Sequence, residues 1–507
     1  MDDTIRAMRR VDPTRPVVAD SSYVRSEALR GYRSLVQPGG LDDGDVDDVH
    51  RYLGWYGDSF FHFYNGEFNR LGSTNRPLIS QEMATGYPNN DDGHPTRFYL
   101  FKHYTPQALV GDDAYENADP AIFLSRQAFM TKELAETLRR TSHQDSAGIL
   151  YFAYSTWFQS PWSAADMKPW PAYYAIKSAL QPVLVSAELY GRHYYAGSVI
   201  HRRVCVVNDA ADGNDLPAGK VVWEFQANGR MLSGGSAPIA PVKYYDNQWA
   251  DVDFQVPSDL PQPRVDGRLI LRYEIAGKVI SENAYDVTLA GADWANAGTK
   301  ALKGISWWDP GQSQEKSALD LPVSVVDSPA HANPLNVLVV GSLTGVELTP
   351  AQITSLRGFV SEGGRVLMLH PDAGLQQLFP DQIKSFKAKA GEIVTLHVPE
   401  SPVFSEIQPL DLAWFNRSTR DLPVACTGIY QMVADHPEVT ALAWQCDLHG
   451  YLNNKLDIVQ ISGTPLLEIR QGKGRLLASE MSLEAGTDDP IARRLLMNAL
   501  HFLQGEE

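Results

Sequence analysis

The chain has 507 residues and a formal net charge of −17, from 44 Lys and Arg residues against 61 Asp and Glu residues. A chain this acidic repels phosphate backbones, so we expect no nucleic-acid partner. No apolar run reaches the ~18 residues of a membrane span, and the polar first residues differ from a signal peptide, so we expect no membrane association. The scattered cysteines, without C-x-x-C spacing, argue against a disulfide framework or a zinc site and fit a cytoplasmic protein.

Residues 1–182 alternate short apolar strands with helical stretches. The runs 15–20, 76–82 and 148–154 have the continuous apolar character of strands. Residues 120–140 place apolar side chains at helical spacing, and Pro120 suits the first turn of a helix. Apolar strands that alternate with helices favour a parallel β/α layout whose sheet is buried on both faces.

Residues 183–292 have a different pattern, with short alternating strands separated by turns. Examples are the runs 203–207, 220–225 and 268–273, and the pair Asn228-Gly229 is a typical turn signal. Strands at this spacing over ~100 residues predict a β-sandwich of immunoglobulin type.

Residues 293–507 show a third pattern, in which buried strands alternate with helices. Strands are predicted at 336–341, 365–369 and 474–479, with one helix that begins at Thr349-Pro350 and another over 491–503. This order predicts a doubly wound α/β domain. The predicted fold class of the whole chain is therefore multidomain α/β.

Four segments within residues 1–182 occur in the order of a known barrel. They are Val-Asp-Pro-Thr-Arg-Pro-Val at 11–17, Asp-Val-His-Arg-Tyr-Leu-Gly-Trp-Tyr at 48–56, Arg-Pro-Leu-Ile-Ser-Gln-Glu at 76–82, and the strand at 148–157 with the segments 168–174 and 179–183 that follow it. Together they resemble the last half of the (β/α)8 barrel of glycoside hydrolase family 2, which includes β-galactosidases, β-glucuronidases and β-mannosidases. The resemblance implies a half TIM barrel over residues 1–182 and a carbohydrate substrate with β-linked sugars.

The downstream residues fit the same resemblance. Similar enzymes carry immunoglobulin-like sandwiches after the barrel, as predicted for residues 183–292. Residues 293–507 resemble the flavodoxin-like, class I glutamine-amidotransferase-like module found at the ends of some β-galactosidases. Relatives of that module use a cysteine at a strand–helix elbow, and the segment 339–345 has none. We therefore expect an assembly role for this module, without amidotransferase activity.

Glu82 is the candidate catalytic residue. Glycoside cleavage uses two carboxyl groups, which stand ~5–5.5 Å apart in retaining enzymes. Glu82 ends a predicted barrel strand, where barrel active sites are built, and its segment is similar to the strand that carries the family's nucleophile. The family's acid/base lies in an Asn-Glu pair at the end of strand four, which would precede residue 1. No such pair ends a predicted strand here, so we expect the partner carboxylate to come from outside the matched region.

Five side chains are candidates for binding the sugar: His50, Trp55, Tyr56, Tyr87 and Trp157. Aromatic rings offer a stacking face, and the imidazole can hydrogen-bond a hydroxyl, although each residue type also occurs in ordinary cores. The acidic runs 41–48 and 89–94 lack the ligand spacing of a calcium loop or a zinc site. We expect turns there, and no metal or other cofactor.

A half-barrel leaves open strand edges, which favour association. We expect a homo-oligomer or an association with a missing barrel half. Two other functions compete with the glycosidase: a catalytically impaired carbohydrate-binding or assembly protein, and a hydrolase of esters. The sequence has no G-x-S-x-G motif, which counts against an ordinary α/β-hydrolase mechanism.

Overall fold

The structure is a computed structural model, and it describes residues 2–18, 45–52, 77–84, 88–93, 120–141, 148–151, 153–189, 191–299, 302–313, 316, 319–416, 424–447 and 461–505. At residues 47–52 and 80–84 the structure describes the backbone and not the side chains. No helix within these ranges is both long enough and apolar enough to cross a membrane.

The N-terminal part contains a parallel sheet with the strand order β1-β2-β3. Its strands are β1 (Asp47–Tyr52), β2 (Leu78–Ala84) and β3 (Gly148–Tyr151). The described helices of this part are α1 (Asp2–Val11), α2 (Pro120–Arg140) and α3 (Pro171–Ala179), with a small ribbon of β4 (Phe158–Gln159) and β5 (Lys168–Pro169) before α3. The parallel pairing agrees with the predicted β/α layout, whereas the half-barrel stays a prediction.

Residues 183–290 form two sheets around one apolar core. One sheet has the order β11-β8-β6 and the other β10-β9-β12-β13-β7, with antiparallel pairing except between β13 and β7. The strands are β6 (Val183–Ala187), β7 (His193–Tyr195), β8 (Val199–Asn208), β9 (Gly219–Ala227), β10 (Arg230–Ile239), β11 (Asp246–Gln255), β12 (Arg264–Ile275) and β13 (Lys278–Ala290).

The alternation seen in the sequence has its cause in this packing. In β9, Val221, Trp223 and Phe225 are buried, and the residues between them are half-buried. Asn228 and Gly229 form the two-residue turn to β10 with φ angles of 49° and 73°, which is the left-handed geometry of primed hairpin turns. One face of each strand therefore fills the core, as expected for a sandwich.

The C-terminal part contains a ten-stranded sheet covered by helices. Its strands are β14 (Ile305–Trp308), β15 (Ser324–Val325), β16 (Val337–Val340), β17 (Arg365–Leu369), β18 (Ile383–Gly391), β19 (Thr395–Leu396), β20 (Cys426–Met432), β21 (Val439–Asp447), β22 (Ile461–Gln471) and β23 (Gly474–Ser479). Within the ranges that the structure describes, its helices are α4 (Ala292–Ala295), α5 (Pro350–Ser361), α6 (Gly374–Leu378) and α7 (Pro490–Gln504).

This sheet is only partly the doubly wound sheet that the sequence pattern predicts. The order β15-β14-β16-β17-β23 is parallel, and beyond β23 the strands β22, β20 and β18 pair antiparallel. Antiparallel neighbours need no crossover helix between them, so no helical signal marks these strands in the sequence. The described residues therefore form a mixed α/β structure with a mixed C-terminal sheet.

Helix α2 is fixed to the sandwich through a buried carboxylate. Glu136 is fully buried and forms one ion pair with Lys132 at 2.6 Å and a second, longer one with Arg140 at 3.8 Å. Its oxygens also accept hydrogen bonds from Ser186 at 2.6 Å and Tyr285 at 2.7 Å, both in the sandwich. Burial alone would raise the pKa of Glu136, but the two cations and the hydrogen bonds outweigh it and lower the pKa to about 2.

We predict that Glu136→Gln destabilises the protein by about 3–5 kcal/mol, because it removes the buried carboxylate that pairs with Lys132 and Arg140. The free energy of unfolding from denaturant titration measures the effect. The control is Glu282→Gln, which removes a surface pair with Arg272 and should cost less than about 1 kcal/mol. Equal effects of the two substitutions would contradict this account.

We also predict a pH dependence that belongs to Glu136. Its folded-state pKa of about 2 lies below the ordinary value of 4.5, so its stabilisation is complete above pH 4.5 and is lost as the pH falls toward 2. Glu136→Gln should therefore show a shallower loss of unfolding free energy across this range than the wild type. Parallel curves for the two proteins would show that Glu136 does not contribute in this way.

Candidate functional site

Candidate residues from three successive strands lie toward one edge of the N-terminal sheet. In the register of β1 and β2, the backbone of His50 pairs with that of Glu82, and each is the third residue from the end of its strand. Trp157 follows the end of β3 in a short 3-10 helix, Tyr154–Trp157. Because the carboxyl ends of parallel strands share one edge, the backbone positions of all three residues lie near it.

The described side chain of this group is that of Trp157. It is half-buried and packs edge-on against Tyr151 of β3, with 6.2 Å between ring centroids. Its carbonyl accepts a hydrogen bond from the backbone N–H of Trp170 at 2.7 Å. The contact with Tyr151 places the ring beside β3, and its sugar-stacking role stays a prediction.

Three predicted sugar-binding residues, Trp55, Tyr56 and Tyr87, lie outside the described residues. The roles of Glu82 and His50 also remain predictions, because the description of β1 and of this part of β2 concerns the backbone.

The loops after β2 and β3 are joined by Asn90. Its side-chain amide donates to the backbone carbonyls of Ser155 at 2.6 Å and Phe158 at 3.1 Å. Its backbone carbonyl accepts a hydrogen bond from the backbone N–H of Ser160 at 2.9 Å. Asn90 belongs to the run that the sequence predicts to be a turn, and Gly93 in that run has a φ of 82°. Asn90 thus holds together two loops at the carboxyl edge, a positioning role that the sequence pattern did not indicate.

A second polar group, missed by sequence reasoning, lies at the carboxyl end of β17. His370 follows this strand directly and has a φ of 44°, which is uncommon for a residue other than glycine. Its Nε2 lies 3.0 Å from a carboxylate oxygen of Glu484, and its Nδ1 lies 2.8 Å from the hydroxyl of Thr427 and 3.4 Å from Glu480. Glu480 also accepts hydrogen bonds from Tyr430 at 2.6 Å and from the backbone of Asp372 at 2.8 Å.

Within this polar group, His370 is held as a positively charged imidazolium. Burial lowers the pKa of His370, but hydrogen bonds and charge from Glu480 and Glu484 outweigh it and raise the pKa well above 6.5. An imidazolium that donates from both nitrogens cannot act as a base or a nucleophile. Cys426, which precedes Thr427 in strand β20, is buried, which raises the pKa of its thiol to about 12 and makes it a poor nucleophile. The described residues of this group therefore form a structural network.

We predict that the titration midpoint of His370 lies well above 6.5. The stabilisation by its imidazolium is then present below pH 6.5 and is lost as the pH rises through the raised value. An NMR titration of the histidine ring protons measures the midpoint, and the signal that disappears in His370→Gln assigns it. A midpoint at or below 6.5 would show that the two glutamates do not hold the ring as a cation.

Comparison with known proteins gives partial likenesses. No family model matches the chain, and no curated protein matches it. Among solved structures, the exo-chitosanase of Amycolatopsis orientalis aligns with 47% of this chain and 30% of its own, at 16% identity and a TM-score of 0.29. The β-D-mannosidase of Dictyoglomus thermophilum aligns with the same shares at 14% identity and a TM-score of 0.25. A protein of Bacteroides uniformis described as ThuA-like aligns with 40% of this chain and 91% of its own, at 12% identity and a TM-score of 0.27.

The chain spans 30% of the length of each of these two glycosidases. At such identities and TM-scores the likenesses establish neither a family nor an activity for this chain. The functional assignment therefore depends on the residues themselves.

Proposed function

We propose that this protein is a glycoside hydrolase-type protein that acts on β-linked sugars by a retaining mechanism, with Glu82 as its nucleophile. Support comes first from the four sequence segments that resemble the second half of a family 2 barrel. The single structural observation that carries the proposal is the register of β1 and β2, which pairs the backbone positions of Glu82 and His50 near the carboxyl edge of a parallel sheet. Active sites of parallel β/α folds are built at that edge.

In the proposed reaction the Glu82 carboxylate attacks the anomeric carbon, and the bond from that carbon to the leaving oxygen breaks. A glycosyl ester of Glu82 forms, and water then cleaves it with retention of configuration. With an ordinary substrate, both steps of the reaction need a second carboxyl group. It protonates the leaving oxygen in the first step and activates water in the second. We propose that this group comes from outside the matched residues.

His50 and Trp157 have proposed roles in binding. His50, opposite Glu82 in the strand register, would hydrogen-bond a sugar hydroxyl close to the reacting carbon. Trp157 would offer its ring to the C–H face of the sugar, since it is half-buried and fixed by Tyr151. Asn90 would support Trp157 through its hydrogen bonds to the loop that contains it.

The experiment that tests this proposal uses dinitrophenyl β-glycosides of several sugars. Dinitrophenolate leaves without protonation, so Glu82 can form the ester even when the acid/base group is absent. We predict a burst of one dinitrophenolate per chain, followed by slow turnover that azide accelerates by about 100-fold, because azide attacks the ester without a base. The product should be the β-glycosyl azide.

Glu82→Gln should abolish the burst, and Glu282→Gln, which changes an exposed glutamate of the sandwich, should keep it. Circular dichroism confirms that both variants are folded. A burst that survives in Glu82→Gln would exclude Glu82 as the nucleophile. No burst with any sugar would contradict the catalytic proposal and favour a carbohydrate-binding or assembly protein.

A further inference from the structure

A cavity of about 640 Å³ lies where helix α2, the sandwich and the C-terminal part meet. This volume falls within the ~300–1,000 Å³ of small-molecule sites. Helix α2 contributes Arg126 and Phe129, the sandwich contributes Arg192 and Arg264, and the C-terminal part contributes Trp414. The described residues that line it come from helix α2, the sandwich and the C-terminal part.

Arg126 brings an uncompensated positive charge to this cavity. Its side chain is almost fully buried, with 2% of the residue exposed. Its guanidinium donates to the hydroxyl of Thr395 at 2.8 Å and to the carbonyls of Val394 at 3.3 Å and Pro409 at 3.2 Å. Among the described residues no carboxylate pairs with it, and burial lowers its pKa to about 10. A buried cation without a counter-ion is costly, and a bound anion would remove that cost.

Two further arginines that line the cavity have buried N–H donors without a hydrogen-bond partner in the described part of the chain. Arg192 donates from Nη2 to Glu133, and its buried Nε and Nη1 have no hydrogen-bond partner in the described part of the chain. Arg264 binds Asp411 through two hydrogen bonds at 2.6 and 2.8 Å, and its buried Nε is likewise unpartnered there. Buried donors without partners are rare in proteins, and a ligand that accepts hydrogen bonds is one explanation for them.

Both signs of charge occur at the cavity. Four arginines line it together with the three aspartates Asp266, Asp286 and Asp411, and Glu133 pairs with Arg192. Arg268 is the outermost of these arginines, with 61% of its side chain exposed and a pair to Asp286 at 3.4 Å. In the described part of the chain the other three arginines each pair with a carboxylate and Arg126 does not, so an anion would bind beside Arg126.

The remaining walls suit a ring with hydroxyl groups. The rings of Phe129 and Trp414 stack, with 3.9 Å between centroids and 24° between planes. Trp414 has a φ of 50°, a strained conformation that is often found in ligand-binding residues. Asp266 and Thr288 also line the cavity, where the Thr288 hydroxyl donates to the Asp266 carboxylate at 2.9 Å. Aromatic faces bind the C–H surface of a sugar ring, and carboxylates accept from its hydroxyls.

We propose that this cavity is a binding site for a carboxylate-bearing saccharide, held by the guanidinium groups of Arg126 and Arg192 at its carboxylate and by Trp414 and Asp266 at its ring. This site is additional to the proposed catalytic site and does not depend on it.

Calorimetric titration of the full chain with galacturonate and with galactose tests the proposal, because the two sugars differ only in the carboxylate. The titrations use Glu82→Gln, so that failure of the glycosidase proposal leaves this result unaffected. We expect galacturonate to bind at a ratio of one per chain and at least about tenfold more tightly than galactose. Inorganic phosphate should bind more weakly than galacturonate, since it has no ring to place on Trp414.

Arg126→Gln should weaken galacturonate binding by about tenfold or more. Arg268→Gln changes an exposed side chain and carries little risk for folding, and it should weaken binding about threefold through the loss of nearby charge. The matched control is Arg272→Gln, an arginine of the same strand β12 outside the cavity, which should bind as the parent does.

Three outcomes would overturn the proposal. They are no saturable binding of galacturonate, equal affinity for galactose, and equal or tighter binding of inorganic phosphate. Unchanged binding in both Arg126→Gln and Arg268→Gln would place the ligand elsewhere and would overturn it as well.

Discussion

The buried carboxylate of Glu136 is the interaction on which the arrangement of this chain depends. It belongs to helix α2, its charge partners Lys132 and Arg140 lie on the same helix, and its hydrogen-bond donors Ser186 and Tyr285 belong to the sandwich. Because the sandwich holds these donors at fixed positions, they favour one position of the helix on it. Arg139 of the same helix reinforces this position, because its guanidinium donates hydrogen bonds to backbone carbonyls in the segment that leads into β6.

The position of α2 has consequences in two directions. Toward the N-terminal sheet, the backbone carbonyl of Thr131 in α2 accepts a hydrogen bond from the hydroxyl of Tyr151. Tyr151 in turn packs against Trp157 near the carboxyl edge. Toward the C-terminal part, the same helix presents Arg126 to the carbonyls around β19 and forms one wall of the cavity. One helix thus links the proposed catalytic edge with the proposed anion site.

Much of the local structure could be predicted from the sequence because local signals determine it. Helix α5 begins after Thr349, as predicted, because Thr349 caps it through a capping box with Gln352. Gly363, with a φ of 116°, follows the end of that helix. The meeting of His370 with Glu480 could not be predicted, because they follow two strands 110 residues apart that become neighbours only in the folded sheet. Arg126 was missed for a similar reason, since its helical spacing does not show what α2 packs against.

The most direct test of the account is to trap the proposed covalent intermediate. A 2-deoxy-2-fluoro β-glycoside with a dinitrophenyl leaving group forms the glycosyl ester but slows its hydrolysis, so the labelled peptide can be identified by mass spectrometry. The account predicts one fluoroglycosyl group per chain, attached to Glu82. A label on another carboxylate, or no label with any of the sugars, would contradict the assignment of Glu82 as the nucleophile.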